Sequence, residues 1–285
     1  MADMQFSINS PRQLKDWIKN MAKKNNLAAN TVLQSYMMER FLERVSASRY
    51  RDCFILKGGF LIAAMVGIDM RSTMDMDTTN KGLPVSETEI RNIITEILNI
   101  PINDNVIFEI TSINPIHDVG EYEDFRVGIV ATFFTMKVKM KLDITTGDVI
   151  IPMEVDYFFK LMFEDRSIMI KAYNLNTILA EKIESILARN ISNTRARDFY
   201  DVYILLTTRP YDIHKEELQN AIKGKALARD TLIYVEHYEK YLTDIRESSD
   251  LLSIWTSYAN KYHYASDIAF ADIVSCIENI LLGIC

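Results

Sequence analysis

The stretch Phe54–Asp77, FILKGGFLIAAMVGIDMRSTMDMD, limits the fold more than any other part of this chain. An apolar run ends in Lys57-Gly58-Gly59, an apolar segment of helical length follows, Gly67 stops it, and an extended run closes on Asp75 and Asp77. That order predicts a strand over Asp52–Lys57, a glycine turn, a helix over Phe60–Val66 and a second strand. Side chains alternate along a strand, so Asp75 and Asp77 share one face while Met74 and Met76 take the other. Two carboxylates held this close repel each other unless a cation lies between them. A glycine turn can present backbone N–H groups to a phosphate. Together these features suggest a site for Mg²⁺ and a nucleotide, with Lys57, Gly58 and Gly59 at the phosphates. Each feature alone is common, since Asp-x-Asp also ends solvated strands and Gly-Gly is often a plain tight turn. A P-loop is excluded: the lysine precedes the glycines, and no Gly-Lys-Ser/Thr follows.

The rest of the chain divides into a mixed half and a helical half. Ser10-Pro11 predicts a helix start, and Leu14, Trp17, Ile18 and Met21 recur at helical spacing to about Asn25. Asn30 is the expected cap of a second helix with a broad apolar stripe. Asn80-Lys81-Gly82 predicts a turn, followed by Pro84, and Ser86–Glu89 is a capping box. Strands are expected near Val106–Ile113, Arg126–Thr135, Lys137–Thr145 and Glu154–Phe159. After about Ser167 the spacing becomes helical, with Asn176 as a cap, a helix over Ala196–Thr208, and four further helices: Lys215–Ala226, Asp230–Thr243, Asp250–Tyr262 and Ile268–Leu282. The fold class is therefore α+β, a mixed sheet with flanking helices followed by an all-helical C-terminal half. The expected domains are 1–168 and 169–285, the second contributing to an active-site cleft shared by Asp77 and Lys182.

Composition narrows the function. A net charge of −7 argues against a protein that coats nucleic acid through many phosphate contacts, but permits an enzyme with a local basic surface. Cys53, Cys276 and Cys285 form no CxxC pair and read as reduced thiols in a cytoplasmic protein. The N-terminal residues lack the apolar core of a secretory signal, and no run is long enough to span a bilayer. His117, His214, His237 and His263 show no metal-ligand spacing, and no Ser or Cys sits in a nucleophile elbow.

Three later features bear on the acidic pair. Asp143 lies on the polar face of its strand, where it could join Asp75 and Asp77 as two-metal phosphoryl chemistry requires. Lys182, Ser185 and Arg189 share one helical face, and Asp198, Asp201 and Leu205 align on the next helix. Two readings stand side by side. These residues are a solvated face with an Arg197–Asp201 pair, or Lys182 meets a triphosphate and Asp198 or Asp201 orients it. Lys137, Lys139 and Lys141 are either edge protection or a phosphate-facing wall.

The blocks FILKGGFLI…RSTMDMD, KLDITTGD and LAEKIESILAR…RARDFYDVYIL resemble, in order, the AbiEii-type nucleotidyltransferase toxins of bacterial toxin–antitoxin and abortive-infection systems. YMMERFLERVSASRYRDCFILKGG and WTSYANKYHYASDIAF extend the resemblance over most of the chain. It implies a DNA-polymerase-β-like nucleotidyltransferase fold, Mg²⁺ with two metals as an option, an NTP substrate, an RNA acceptor expected to be the tRNA 3′ end, and a cognate antitoxin. Carried over by motif, Asp75 and Asp77 would bind metal with Asp143 as a third ligand. Lys182 would contact the triphosphate, and Asp198, or else Asp201, would complete the site. Ser72 and Thr73 would bind phosphate or be modified, and Arg189 would join the nucleotide contacts. The sequence departs from the family at Phe60, where a small or hydroxylated residue is common, and at Gly59, which is serine in many members of the wider superfamily. The competing readings are nucleotidyl transfer to a protein or small molecule, and a non-catalytic partner-binding protein on the same fold.

Overall fold

Local signals set the first elements. The Ser10 hydroxyl accepts from the Gln13 N–H and Pro11 takes the first helical position, opening helix α1 (Pro11–Lys24). Helix α2 (Ala29–Ala47) starts two residues earlier than an Asn30 cap would place it, with Ala28 at its N-cap. The computed structural model describes residues 8–83, 86–116 and 124–284, so Pro84, His117 and Cys285 lie outside the described residues.

Strand β1 (Phe54–Lys57) runs into helix α3 (Gly58–Val66), and the chain returns as strand β2 (Met76–Asn80). The helix thus begins at the first glycine, two residues ahead of Phe60. Ser86 caps helix α4 (Glu87–Leu98) by accepting from the Glu89 N–H, and the Glu89 carboxylate bonds the Ser86 hydroxyl. Strands β3 (Val106–Pro115), β4 (Phe125–Phe133) and β5 (Met136–Thr145) form an antiparallel meander. Strands β6 (Val155–Lys160) and β7 (Ser167–Ala172) follow. The helical pattern expected from Ser167 is therefore displaced by one strand. Ile168, Ile170 and Ala172 alternate inward there, a period-two signal too short to stand out beside the helix that follows.

The seven strands form one sheet in the order β3-β4-β5-β2-β1-β7-β6. Pairs β2–β5 and β1–β7 are parallel, and the others antiparallel. One face is apolar, with Met76, Val127, Ile129, Met140, Leu142 and Ile144 buried. Helix α2 packs along β5 and β7, and α4 along β3. The other face is polar, which gives the strands their alternation.

Helix α2 is buried on its charged side as well as its apolar one. Arg40 contacts Glu39 (2.5 Å), Glu43 (2.9 Å) and Glu164 (2.8 Å), while Arg44 holds Asp104 with both guanidinium nitrogens (2.7 and 2.9 Å). Burial would lower the Arg40 pKa, but Glu39 and its other anionic neighbours outweigh this and leave it raised. Burial pushes Glu39 up to about 7, against the pull of Arg40 and the Met162 N–H.

Two compact units emerge. One comprises the chain up to Asp148 with Val155–Ala172; the other comprises Val149–Glu154 with Tyr173 onward. In the second unit, Asn174 rather than Asn176 caps helix α5 (Leu175–Arg189), accepting from the Thr177 N–H (2.8 Å). Asn176 is buried at the second position of the helix. Helix α6 spans Ala196–Thr208 as predicted. Helices α7 (Lys215–Ala228), α8 (Leu232–Glu236), α9 (Tyr238–Glu247), α10 (Ser249–Lys261) and α11 (Phe270–Leu281) complete the unit. The single helix expected over Asp230–Thr243 is two, divided at His237. Among the described residues no helix is long and apolar enough to cross a membrane.

Candidate active site

The polar face of the sheet brings the predicted aspartates together in register. Asp77 on β2 lies directly beside Asp143 on the parallel strand β5, and Lys57 is its partner on β1. Arg126 on β4 stands opposite Asp143 and grips it with two hydrogen bonds, 2.8 and 2.7 Å. Directly paired residues point the same way, so Lys57, Asp77, Asp143 and Arg126 form one row across four strands. The Arg126 pKa is raised, first by its bonds to Asp143 and then by the charges of Asp143, Asp75 and Asp77. Three carboxylates therefore act on this one guanidinium.

Asp75 precedes β2 instead of lying within it, and Met74 is 44% exposed while Met76 is buried. The expected alternation thus holds at Met76 and Asp77 and fails two residues earlier. The cause is Gln34 of α2, whose amide donates to the carbonyls of Met74 (2.6 Å) and Lys139 (3.3 Å). That side chain replaces the sheet ladder just where Asp75 approaches the site.

The glycine turn is fitted to the carboxylate. Gly58 has φ +67°, and a Cβ there would lie 2.9 Å from the Asp77 carboxyl carbon. Only glycine accepts both conditions without strain. A Cβ on Gly59 would meet a guanidinium nitrogen of buried Arg71 at 2.8 Å and the Thr73 hydroxyl at 3.0 Å. The second glycine, a departure from the Gly-Ser form, is thus explained by Arg71 beneath it. Arg71 also donates to the Ser72 carbonyl, and the Thr73 hydroxyl reaches the Asp75 carbonyl at 3.5 Å. Ser72 and Thr73 border the acidic pair through this local structure.

Lys57 is nine-tenths buried and ion-paired with Asp148. Its ammonium also donates to the Thr145 hydroxyl (2.6 Å), and Asp148 accepts from Thr79 (2.8 Å) and Thr145 (2.7 Å). Asp148, Thr79, Thr145 and Arg126 were not singled out from sequence. For Asp148 the available signal was its place at the end of the KLDITTGD block.

The donor set suits a hard divalent cation, because carboxylate oxygens are the ligands Mg²⁺ prefers. Gly58 leaves room against Asp77, and Asp75 lies at the same end of β2. Asp143 is held by Arg126, however, and among the described residues no three His, Cys, Asp or Glu side chains converge as a ready metal cage.

In the helical unit, Lys182 on α5 is ion-paired with Asp198 and with Asp201 (3.1 Å) on α6. Asp201 is fully buried and Asp198 nearly so, while Lys182 is 20% exposed. Asp201 thus faces Lys182, which separates it from the Arg197–Asp201 surface pair considered above. Arg189 lies two turns along α5, exposed, with its Nε donating to Ser185 (3.1 Å). Helix α6 is braced by aromatic packing, with Phe199 on Phe270 (5.3 Å) and Tyr200 on Tyr264 (4.8 Å). Trp255, Tyr258 and Tyr262 continue that cluster, which accounts for the WTSYANKYHYASDIAF block.

Comparison with known proteins settles the family. The family model for the nucleotidyl transferase AbiEii toxin, type IV toxin–antitoxin system, matches residues 40–275. The chain belongs to this family. Its membership makes the protein a nucleotidyltransferase with an NTP substrate and an antitoxin partner. A candidate nucleotidyltransferase from H. pylori shares the fold at 16% identity, with 90% of this chain and 96% of that one covered and a TM-score of 0.50. JHP933 from Helicobacter pylori is similar at 15% identity, 90% and 93% coverage and a TM-score of 0.49. An antigenic nucleotidyltransferase-like protein from Paracoccidioides brasiliensis gives 15% identity, 70% and 90% coverage and a TM-score of 0.41. No curated protein matches the sequence significantly.

Proposed function

We propose that this AbiEii-family protein is a Mg²⁺-dependent toxin that transfers a nucleoside monophosphate from an NTP to RNA, with the tRNA 3′ end as acceptor, and so arrests translation in the cytoplasm. The observation carrying this reading is the in-register Asp77–Asp143 pair, with Asp75 adjoining it and Gly58 shaped to the Asp77 carboxylate. Such carboxylates on neighbouring strands are what phosphoryl transfer needs to gather charge on attacking and leaving oxygens.

Asp75 and Asp77 would hold the metal, with Asp143 a further ligand when Arg126 releases it. A bound Mg²⁺ would supply electrostatic stabilisation of the phosphate charge in the transition state. Lys57, Gly58 and Gly59, with Ser72 and Thr73, position the phosphates. An acceptor hydroxyl forms a bond to the α-phosphorus as the bond to the bridging oxygen breaks, and pyrophosphate leaves. The hydroxyl proton passes to solvent or to an acidic side chain. Lys182 offsets charge on the pyrophosphate, and Asp198 and Asp201 hold its side chain in place; Arg189 adds positive charge further along α5.

Purified protein incubated with each labelled NTP, Mg²⁺ and total RNA tests the reading. Label entering an RNA band with the wild type and not with Asp77→Asn is the expected result. Label appearing only in protein or small molecules would replace the RNA acceptor with another class.

A further inference from the structure

The polar face of β5 carries one feature that the aspartate row does not use. Lys137, Lys139 and Lys141 alternate along it toward Asp143, all three exposed. Their neighbours on β4 are Thr132, Val130 and Gly128, none of which offers a counter-charge. Among the described residues the ammonium group of none of the three makes a hydrogen bond or ion pair. The nearest carboxylate in the Lys139 row is Glu109, beyond Val130 on the second strand over, about 10 Å away at ordinary strand spacing. Lys57 and Arg126, the cations beside the aspartates, are by contrast fully engaged.

Edge protection does not account for this file. Strand β5 pairs with β4 along its whole length and with β2 from Leu142 to Thr145. At Lys139 the remaining flank is occupied by Gln34, which donates to the Lys139 carbonyl. Lysine is also a poor strand former, and like charges two residues apart on one face repel. A partner of opposite charge would offset both costs.

We propose that Lys137, Lys139 and Lys141 bind the phosphodiester backbone of a single-stranded nucleic-acid acceptor and lead its 3′ end to Asp77 and Asp143. The proposal rests on the nucleotidyl-transfer reading of that site and gives it a direction. Successive lysines on one face are about 6.8 Å apart, comparable to successive phosphates along one strand. From Asp143 to Lys137 is about 20 Å, enough for three phosphates behind the reacting terminus. The acceptor class is thus an unpaired 3′ tail of at least three nucleotides. Because backbone phosphates are read, the track distinguishes tails by length more than by base.

The test is fluorescence anisotropy of a labelled single-stranded RNA 12-mer with full-length protein, in EDTA and without NTP, across a salt series. Three proteins are compared: wild type, K137Q/K139Q/K141Q, and the control K19Q/K23Q/K24Q, which removes the same charge from α1. The track variant should bind more weakly, with its log–log salt slope reduced by about 2 at about 0.7 per phosphate contact. The control should match the wild type, and melting temperatures should agree among all three. Equal affinity and slope for wild type and track variant, or an equal loss in the control, overturns the track. Normal label transfer to RNA by a track variant at subsaturating RNA would also overturn it while leaving the transferase reading intact. Absence of any transfer to RNA by the wild type would overturn both.

Discussion

Arg40 and Lys182 are each surrounded by carboxylates, yet the two clusters serve opposite ends. Arg40 is 2% exposed and bridges α2 to Glu164 of the β6–β7 connection through a planar, permanently charged group. Lys182 is 20% exposed, and its charge sits on a compact, mobile head that can exchange a carboxylate for a phosphate. Closed guanidinium clusters fix a scaffold, whereas under the proposed function the lysine left partly open beside buried aspartates serves the triphosphate. Lys57 with Asp148 falls between them, nearly enclosed and adjoining the aspartate row.

The contrast can be broken by mutation. Arg40→Met strands Glu39, Glu43 and Glu164 in the core and should cost roughly 3–5 kcal/mol of stability. Calorimetry reads the loss, and protein still folded at low temperature should keep its specific transfer rate. A folded but inactive Arg40→Met would place Arg40 in the chemistry and dissolve the distinction.

Lys182→Met should do the reverse. Transfer should fall at least about a hundredfold. The stability cost, discounted for partial exposure, should stay near 1–2 kcal/mol. Adding Asp198→Asn should recover part of that stability and none of the activity. Recovery of activity in the double variant would reduce Lys182 to a structural counter-ion.

Gly58→Ala tests the turn itself. A side chain at φ +67° that also crowds Asp77 should cost about 1–2 kcal/mol and depress transfer together. A fully active Gly58→Ala would show that the close approach of turn and carboxylate is incidental.

The smallest effect concerns Glu39, raised by burial from its ordinary value to about 7. A carboxyl whose folded pKa lies above its unfolded one favours the fold while protonated. Its contribution is complete below about pH 4.5 and is lost as pH rises through 7. Wild-type stability measured against Glu39→Gln should therefore decline from pH 5 to pH 8, by on the order of 1–3 kcal/mol. A difference that is flat or rises with pH would mean that Arg40 keeps the carboxylate ionised throughout.

The sequence was most legible where a residue type answers a local requirement. Ser10-Pro11, the Ser86–Glu89 box, the glycine turn and the α6 boundaries all follow from chemistry within a few residues. Asp143 could be placed on a polar strand face, but its position beside Asp77 required the parallel β2–β5 pairing, which no local pattern specifies. Arg126, Asp148 and Arg71 were illegible for the same reason: each acts through a partner distant in sequence. Strand β7 was hidden because six residues of alternation adjoin a long helix. Arg40 is interior through the turn bearing Glu164, a partner 124 residues away that no local pattern specifies.

The central claim is that the Asp77 row transfers nucleotides. Its most direct measurement is label transfer from each of the four NTPs to total RNA, for wild type and Asp77→Asn at matched melting temperature. The account predicts labelled RNA with the wild type and a loss of at least about a hundredfold in the variant. Equal labelling by the two proteins would contradict it.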